Sequence, residues 1–402
     1  MSDSRSLLRL LPAVFAIQAG FHGFTGALPV ALAAAAYSNG QIGLIVGTAF
    51  TVQMFAAPVI GALIDRAGPY RLLLVGVAAY LLATLLLGIS ELDPSEPILG
   101  LFTARVLQGI GFAVVVPAVL TLVPLVVDAA QRGFWLSVVL LAQNLTLAVL
   151  PAASLFILEV SSFRGVAVSA ALVILLGALL ANRLPRPTLA SGRAGSSSMV
   201  IASPARRQWG LAFRRAWAVP LAITLFAVAY WGVVLTYLPP RAELAGTSSA
   251  FFFIGYGASV LISRIPTGWL ADRHEARLLV GAGLLVSVGS IALLLLTPTV
   301  ATLVGGGLLA GLSAGLILSP MLLELTVRSS TADRGSAFAL FSVISGGANA
   351  LGAIGGAPIV ERFGFEAALI VGLGGVAIAG MLTLADPSLR RSHLRVPPTV
   401  PL

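Results

Sequence analysis

The chain has 402 residues, of which 58% are hydrophobic and only 10% charged, with a mean hydropathy of +1.01. A water-facing surface needs about a quarter of charged residues, so this composition excludes a soluble domain and puts the chain in a bilayer. Its net charge of +9 rests on 24 arginines, to be counted by side of the membrane and not taken as a nucleic-acid signal, and the absence of cysteine with His22, His274 and His393 far apart leaves no metal centre and no cofactor to expect.

Crossing ~30 Å of hydrocarbon at ~1.5 Å per residue takes about 20 apolar residues. Twelve segments qualify in chain order: 9–34, 42–64, 71–90, 98–126, 134–158 and 165–183, then 216–238, 248–270, 278–296, 300–327, 336–360 and 366–385. They are numbered spans 1 to 12. The start, Met1 to Arg5, leads into the first run with no small-residue cleavage site, which reads as a membrane helix and not a signal peptide. The spacing predicts an N-terminal six-helix bundle over 1–183, a cytoplasmic linker over 184–215, a C-terminal bundle over 216–385 and a tail over 386–402. The linker holds Pro185, Pro187, Gly192, Gly195 and the serines 196–198, and its end mixes arginine with Trp209, Leu211 and Phe213. That end suits either a short helix in the headgroup region or a disordered basic stretch.

With both termini cytoplasmic, nineteen arginines fall on the cytoplasmic side and only Arg164, Arg241 and Arg362 on the other. That positive-inside bias sets the orientation in a cytoplasmic membrane.

Span 2 ends in Gly61-Ala-Leu-Ile-Asp65-Arg66-Ala-Gly68-Pro-Tyr-Arg71, and span 8 in Gly268-Trp-Leu-Ala-Asp272-Arg273-His-Glu-Ala-Arg277. Asp128 with Arg132-Gly133 after span 4 is matched by Asp333-Arg334-Gly335 after span 10. The chain is thus two related halves, and parallel half-repeats are one way membrane transporters are built. A small residue lets helices approach closely, and an edge aspartate can pair with arginine or cap a helix. Such contacts could latch one face, or the charges could serve topology alone.

Over about residues 10–385, these spans and motifs resemble the major facilitator superfamily of secondary transporters, in its arabinose-efflux-permease-like or drug-proton-antiporter-like branch. Gly61, Leu63, Asp65, Arg66 and Gly68 match that family's loop, while Pro69 and Tyr70 replace its arginines before Arg71, and the second copy lacks the second glycine. The resemblance implies an all-α fold of two pseudo-symmetric six-helix bundles. It also implies a cytoplasmic latch drawn from Gly61, Asp65, Arg66, Arg71, Asp128, Arg132, Gly268, Asp272, Arg273, Arg277 and Arg334. Glu324, near the end of span 10, is expected to pair with Arg264 or Arg277.

Arg105 in Arg105-Val-Leu-Gln108-Gly109 resembles the family's Arg-x-x-Gln-Gly motif. An arginine two turns into a bilayer costs at least ~2.5 kcal/mol, so it is expected to face the central cavity, with snorkelling as the alternative. Spans 1, 4, 7 and 10 line that cavity in the family, which nominates Gln18, His22, Thr25, Arg105, Gln108, Tyr230, Trp231 and Tyr237, with Asn349, Gln143 and Asn144 beside them. Tyr230 and Tyr237 are two turns apart on one face. His22 can carry a coupling proton or be a neutral hydrogen-bonding residue.

The expectation is a secondary active transporter of a small organic solute, exporting it by alternating access at the expense of the proton gradient. Its partners would be the solute, protons and membrane lipid, with no nucleic acid, and it would act as a monomer. Span 5 keeps only Pro151 of the drug-exporter signature, and Arg183-Leu-Pro-Arg-Pro187 replaces the sugar-porter motif. A facilitator or importer would share every motif, a transport-inactive sensor would not need the double latch, and no nucleophile cluster suggests an enzyme.

Overall fold

The computed structural model describes residues 4–127, 132–182, 215–271, 273–329 and 334–390, and every regular element among them is helical. Span 1 is built from Ser4–Ile17, Ala19–His22 and Ala27–Ala34, followed by Asn39–Ala67, Pro69–Ile89, Leu99–Val126, Arg132–Val160 and Phe163–Asn182 for spans 2 to 6. Spans 7 to 10 are Arg215–Leu244, Ala250–Ala271, Ala276–Leu294 and Val300–Val327. Span 11 joins Arg334–Ala350, a π-turn Leu351–Gly355 and Gly356–Phe363, and span 12 is Phe365–Ala385. Ten of these are long and apolar enough to cross a membrane outright, and Leu145–Val160 and Ala250–Ser263 are the shorter apolar stretches of spans 5 and 8.

One packing scheme serves both halves. Spans 2 and 4, 3 and 4, 1 and 6, 3 and 6, and 1 and 5 pack together, as do 8 and 10, 9 and 10, 7 and 12, 9 and 12, and 7 and 11. The halves meet where span 2 runs along span 11 and span 5 along span 8. Large apolar side chains such as Ile262, Leu285 and Met381 point outwards, while Gln18, Gln108 and Arg105 are buried. That is the arrangement a lipid solvent requires, since hydrocarbon cannot pair a polar group.

Cross-ties mark the two faces. On the face of the first and last described residues, the proximal face, the Tyr70 hydroxyl donates to Asn182 Oδ1 at 3.0 Å, and Arg328 reaches Ala216 O at 3.1 Å. On the distal face, the Tyr37 hydroxyl donates to Asp93 O at 3.0 Å. The turn between spans 2 and 3 depends on Gly68, whose φ of 87° is open to glycine and strained for other residues, and Pro69 then starts span 3.

Two spans are interrupted. In span 1, Phe24 N bonds Phe21 O rather than Gly20 O, and Thr25 N bonds His22 O, so the helix tightens around Gly20, Gly23 and Gly26. The tightening frees the carbonyl of Gly20, which accepts from Gln108 Nε2 at 2.7 Å. The sequence predicts a single span over 9–34 here.

Candidate functional site

The polar centre of the N-terminal half is a knot on spans 1 to 4. Arg105 Nε donates to Ile45 O at 3.2 Å and its Nη2 to Val46 O at 2.8 Å, while Nη1 donates to Gln108 Oε1. The Tyr80 hydroxyl donates to Gln18 Oε1 at 3.4 Å. Arg105 is 3% exposed and lies 5.6 Å from the Phe21 ring centroid. It staples span 4 to the backbone of span 2, and no carboxylate pairs with it among the described residues. The cost of burying an arginine in a membrane is offset by carbonyl acceptors and a cation–π contact.

Arg105 borders an enclosed cavity of about 10 Å³, with Phe21, Thr25, Val46, Phe50 and Leu235 in its wall. That is room for one water at most. Leu235 belongs to span 7, so the two halves meet at this cavity.

His22 sits in the broken stretch of span 1 with its ring against Phe21 and Phe112, at 5.3 and 5.7 Å between centroids. It is 8% exposed, and its Nδ1 is buried with no hydrogen-bond partner. Thr25 gives at most a weak bond, 3.5 Å, to Phe21 O.

The span 7 candidates separate. The Tyr230 ring packs on Gly372 of span 12, and its hydroxyl lies beside Ser287 and Ser313 without a bond of good geometry to either. Trp231 packs edge-on to Tyr256 of span 8 at 4.7 Å. Tyr237 lies on the distal seam, where its hydroxyl donates to Ala353 O at 2.6 Å. Asn349 in span 11 has a buried, unpartnered Oδ1, and its backbone carbonyl abuts Gly232. The shared face expected for Tyr230 and Tyr237 therefore serves two different neighbours, because span 7 passes from spans 9, 10 and 12 to spans 2 and 11 along its length.

Of the proximal latch candidates, Asp128 and Asp272 lie outside the described residues, as do the side chains of Asp65, Arg132, Arg264 and Arg334 and the surroundings of Gly268; the side chain of the cavity candidate Asn144 lies outside them too. Arg66, Arg71 and Arg273 are exposed, and Gly61 and Arg277 are half-buried. Glu324 does not pair with Arg277: its carboxylate takes Arg328 four residues on, at 2.9 Å. Arg328 also reaches Asp386 at 3.4 Å. Burial pushes the Asp386 carboxyl up, but bonds from Ser388 and Arg328 outweigh it and hold the group below the usual carboxylate range. Helical spacing of Glu324 and Arg328 could have signalled this pair.

Sequence reading also passed over Gln53, whose Oε1 lies beside Gly346 at the seam of spans 2 and 11. The glycines of span 2 turn out to face Ala353, Ile354 and Ala357 of span 11, while Gly352 of span 11 packs on span 7. A Cβ on Gly43 would strike the Tyr237 hydroxyl and Ala353 O, and one on Gly47 would strike Ile354. On the flank, a distal groove of about 530 Å³ opens between Phe156, Glu159, Phe251 and Val300.

The sequence model described as Major Facilitator Superfamily matches residues 10–353 and 241–399. A mutant of the nucleoside transporter NupG superposes with a TM-score of 0.77 at 12% identity, covering 94% of this chain and 99% of that one. A mutant of the peptide transporter POT gives 0.73 at 15% identity, covering 96% and 95%. At such identities the likeness speaks for the fold, which is the major facilitator fold of two six-helix bundles.

Proposed function

Since the chain belongs to the Major Facilitator Superfamily and is a multi-pass transporter of small solutes, we propose that it exports its solute by alternating access, driven by the proton gradient, in the arabinose-efflux-permease-like or drug-proton-antiporter-like branch. It is read as a monomer in the cytoplasmic membrane with both termini cytoplasmic, on the strength of nineteen arginines against three. The observation that carries the coupling is His22. It is an imidazole inside the bundle, in a broken helix, with a buried ring nitrogen that has no hydrogen-bond partner among the described residues. An unpaired buried polar atom costs about 1–3 kcal/mol, a cost that a solute or a proton relay can relieve.

In this reading Thr25 and the walls of Phe21 and Phe50 contact the solute, while Arg105 and Gln108 keep spans 1, 2 and 4 in register around it. Asp65, Arg66, Asp272 and Arg273 act as the proximal latch, with Asp128, Arg132, Arg264, Arg277 and Arg334 as their surroundings. The test is uptake of labelled sugars, organic acids and cationic dyes into inverted vesicles, with and without an imposed pH gradient. Gradient-driven accumulation of one class, reduced to equilibration in His22→Gln, is the expected outcome. Uptake that ignores the gradient in both proteins makes this a facilitator.

A further inference from the structure

Away from their ends, the twelve spans carry two charged residues, Arg105 and Arg264, and both are cations. The nearest approach to an interior acid is Glu324 at the proximal end of span 10, and Arg328 takes it. Carbonyl dipoles stabilise a buried guanidinium but carry no net charge, so Arg105 remains a whole positive charge with no carboxylate partner among the described residues. Nor are its donors used up. Nε, Nη1 and Nη2 give one N–H each to Ile45 O, Gln108 Oε1 and Val46 O, and each terminal nitrogen keeps a second N–H. The guanidinium borders the cavity of about 10 Å³ between the halves, where Phe21, Phe24, Phe50 and Leu235 are apolar wall and Thr25 is the other polar residue. A cation beside aromatic walls with no acid near is the complement of an anion on an apolar body. A carboxylate fits the guanidinium fork, whereas a neutral head leaves the charge unanswered and a cationic one adds to it.

We propose that the transported solute is an organic anion, a carboxylate on an apolar or aromatic body, which docks between Arg105, Thr25 and the rings of Phe21 and Phe50 when spans 1, 2 and 7 part. The cavity as it stands admits one water at most. The solute therefore needs the widening that alternating access supplies, and the proposal rests on that part of the proposed function, while being independent of transport direction and of His22. It narrows the solute from any small organic molecule to one sign of charge. Arg105 then does two things: it holds span 4 to span 2, and it supplies the solute's counter-charge.

The test separates binding from transport. Binding is read as the shift in melting temperature of the purified protein in a neutral detergent at constant ionic strength, with benzoate, phenylacetate and cinnamate each set against its amide and its amine. A carboxylate of this set is expected to stabilise the protein at about ten-fold lower concentration than its amide, with the amine without effect. Arg105→Lys keeps the charge and loses the fork, so the preference for carboxylate should persist with about ten-fold weaker binding. Arg105→Gln should lose the preference. If Arg105→Gln does not fold, Thr25→Val decides, with carboxylate binding about five-fold weaker than in the parent. Stabilisation by none of the carboxylates, equal stabilisation by amide or amine, or a carboxylate effect that survives intact in Arg105→Gln or in Thr25→Val overturns the proposal. Transport is read as uptake of the same labelled probes into inverted vesicles. Carboxylate binding without uptake upholds the anion site and overturns export instead, whereas uptake led by a neutral or cationic probe overturns the anion site and leaves export standing.

Discussion

In the N-terminal half the polar groups shared by spans 1, 3 and 4 are an arginine, two glutamines and a tyrosine, bonded to each other and to the carbonyls of Gly20, Ile45 and Val46. The corresponding spans 7, 9 and 10 of the C-terminal half share hydroxyls, those of Tyr230, Ser287, Ser290 and Ser313, with Ser287 bonded to Ser313 and Ser290 to Gly306 O. The interruptions differ too. Span 1 breaks at Gly20 to Gly26, while its counterpart span 7 runs unbroken from Arg215 to Leu244, and the C-terminal half breaks in span 11. One packing scheme thus tolerates two ways of burying polarity. Gln108 takes a carbonyl that the break in span 1 sets free, while Arg105 shares carbonyls of unbroken span 2, and the short serine hydroxyls leave their helices whole.

If that difference is real, the halves respond unequally to matched changes. Arg105→Ala removes three donors and leaves Gln108 Oε1 unpaired, so it should destabilise the folded protein by about 3 kcal/mol. Ser313→Ala should cost about 1 kcal/mol. Thermal unfolding in one detergent measures both, and equal losses would break the comparison.

The seams within each half come next. Alanine at Gly352 drives a methyl into the Ala229 carbonyl, which cannot step aside, and about 2 kcal/mol is expected. At Gly26 the nearest atoms belong to the flexible end of Leu155, at 2.8 Å. Gly26→Ala should therefore cost about 1 kcal/mol or less, read on the same melting curves.

The proximal ties sharpen the contrast through pH. The C-terminal half is tied by ions, Glu324, Arg328 and Asp386, and the N-terminal half by the neutral pair Tyr70 and Asn182. A carboxyl held below its ordinary value of about 3.9 contributes stability above that value and loses it as pH falls through the folded value. Melting temperature should drop from about pH 5 towards about pH 3 in the parent and less so in Asp386→Asn. A drop of the same size in both would remove Asp386 from the account.

The smallest effect is the most discriminating. Tyr80→Phe gives up a long bond to Gln18 and should cost about 0.5 kcal/mol. Tyr230→Phe gives up no well-formed bond and should be neutral within error; a larger loss there than at Tyr80 would show that the serine cluster is tighter than its geometry suggests.

How much of this was legible beforehand varies by residue. All twelve spans were readable to within a few residues, since hydropathy and length answer directly to the bilayer. Arg105 was readable as buried and Gln108 as its neighbour one turn on, because spacing of three is local helical geometry. Where Arg105 points was not, because periodicity identifies a face without naming what faces it. Tyr237 shows the same limit: placed on one stripe with Tyr230, it meets different helices because span 7 crosses its neighbours at an angle. The glycines of spans 2 and 11 were visible as two separate runs, and nothing in either run says that Gly43 and Gly47 meet Ala353 and Ile354 or that Gly352 meets Gly232.

The sequence by itself determined the solvent, the number and length of the helices, the duplicated halves and the family, because each follows from local composition and short-range spacing. Only the tertiary structure decided that Arg105 binds the backbone of span 2, that Arg328 reaches Asp386 of span 12, and that Tyr237 sits on the π-turn of the other interrupted helix. These depend on which faces meet between helices far apart in the chain, and that is set by the simultaneous packing of all twelve helices.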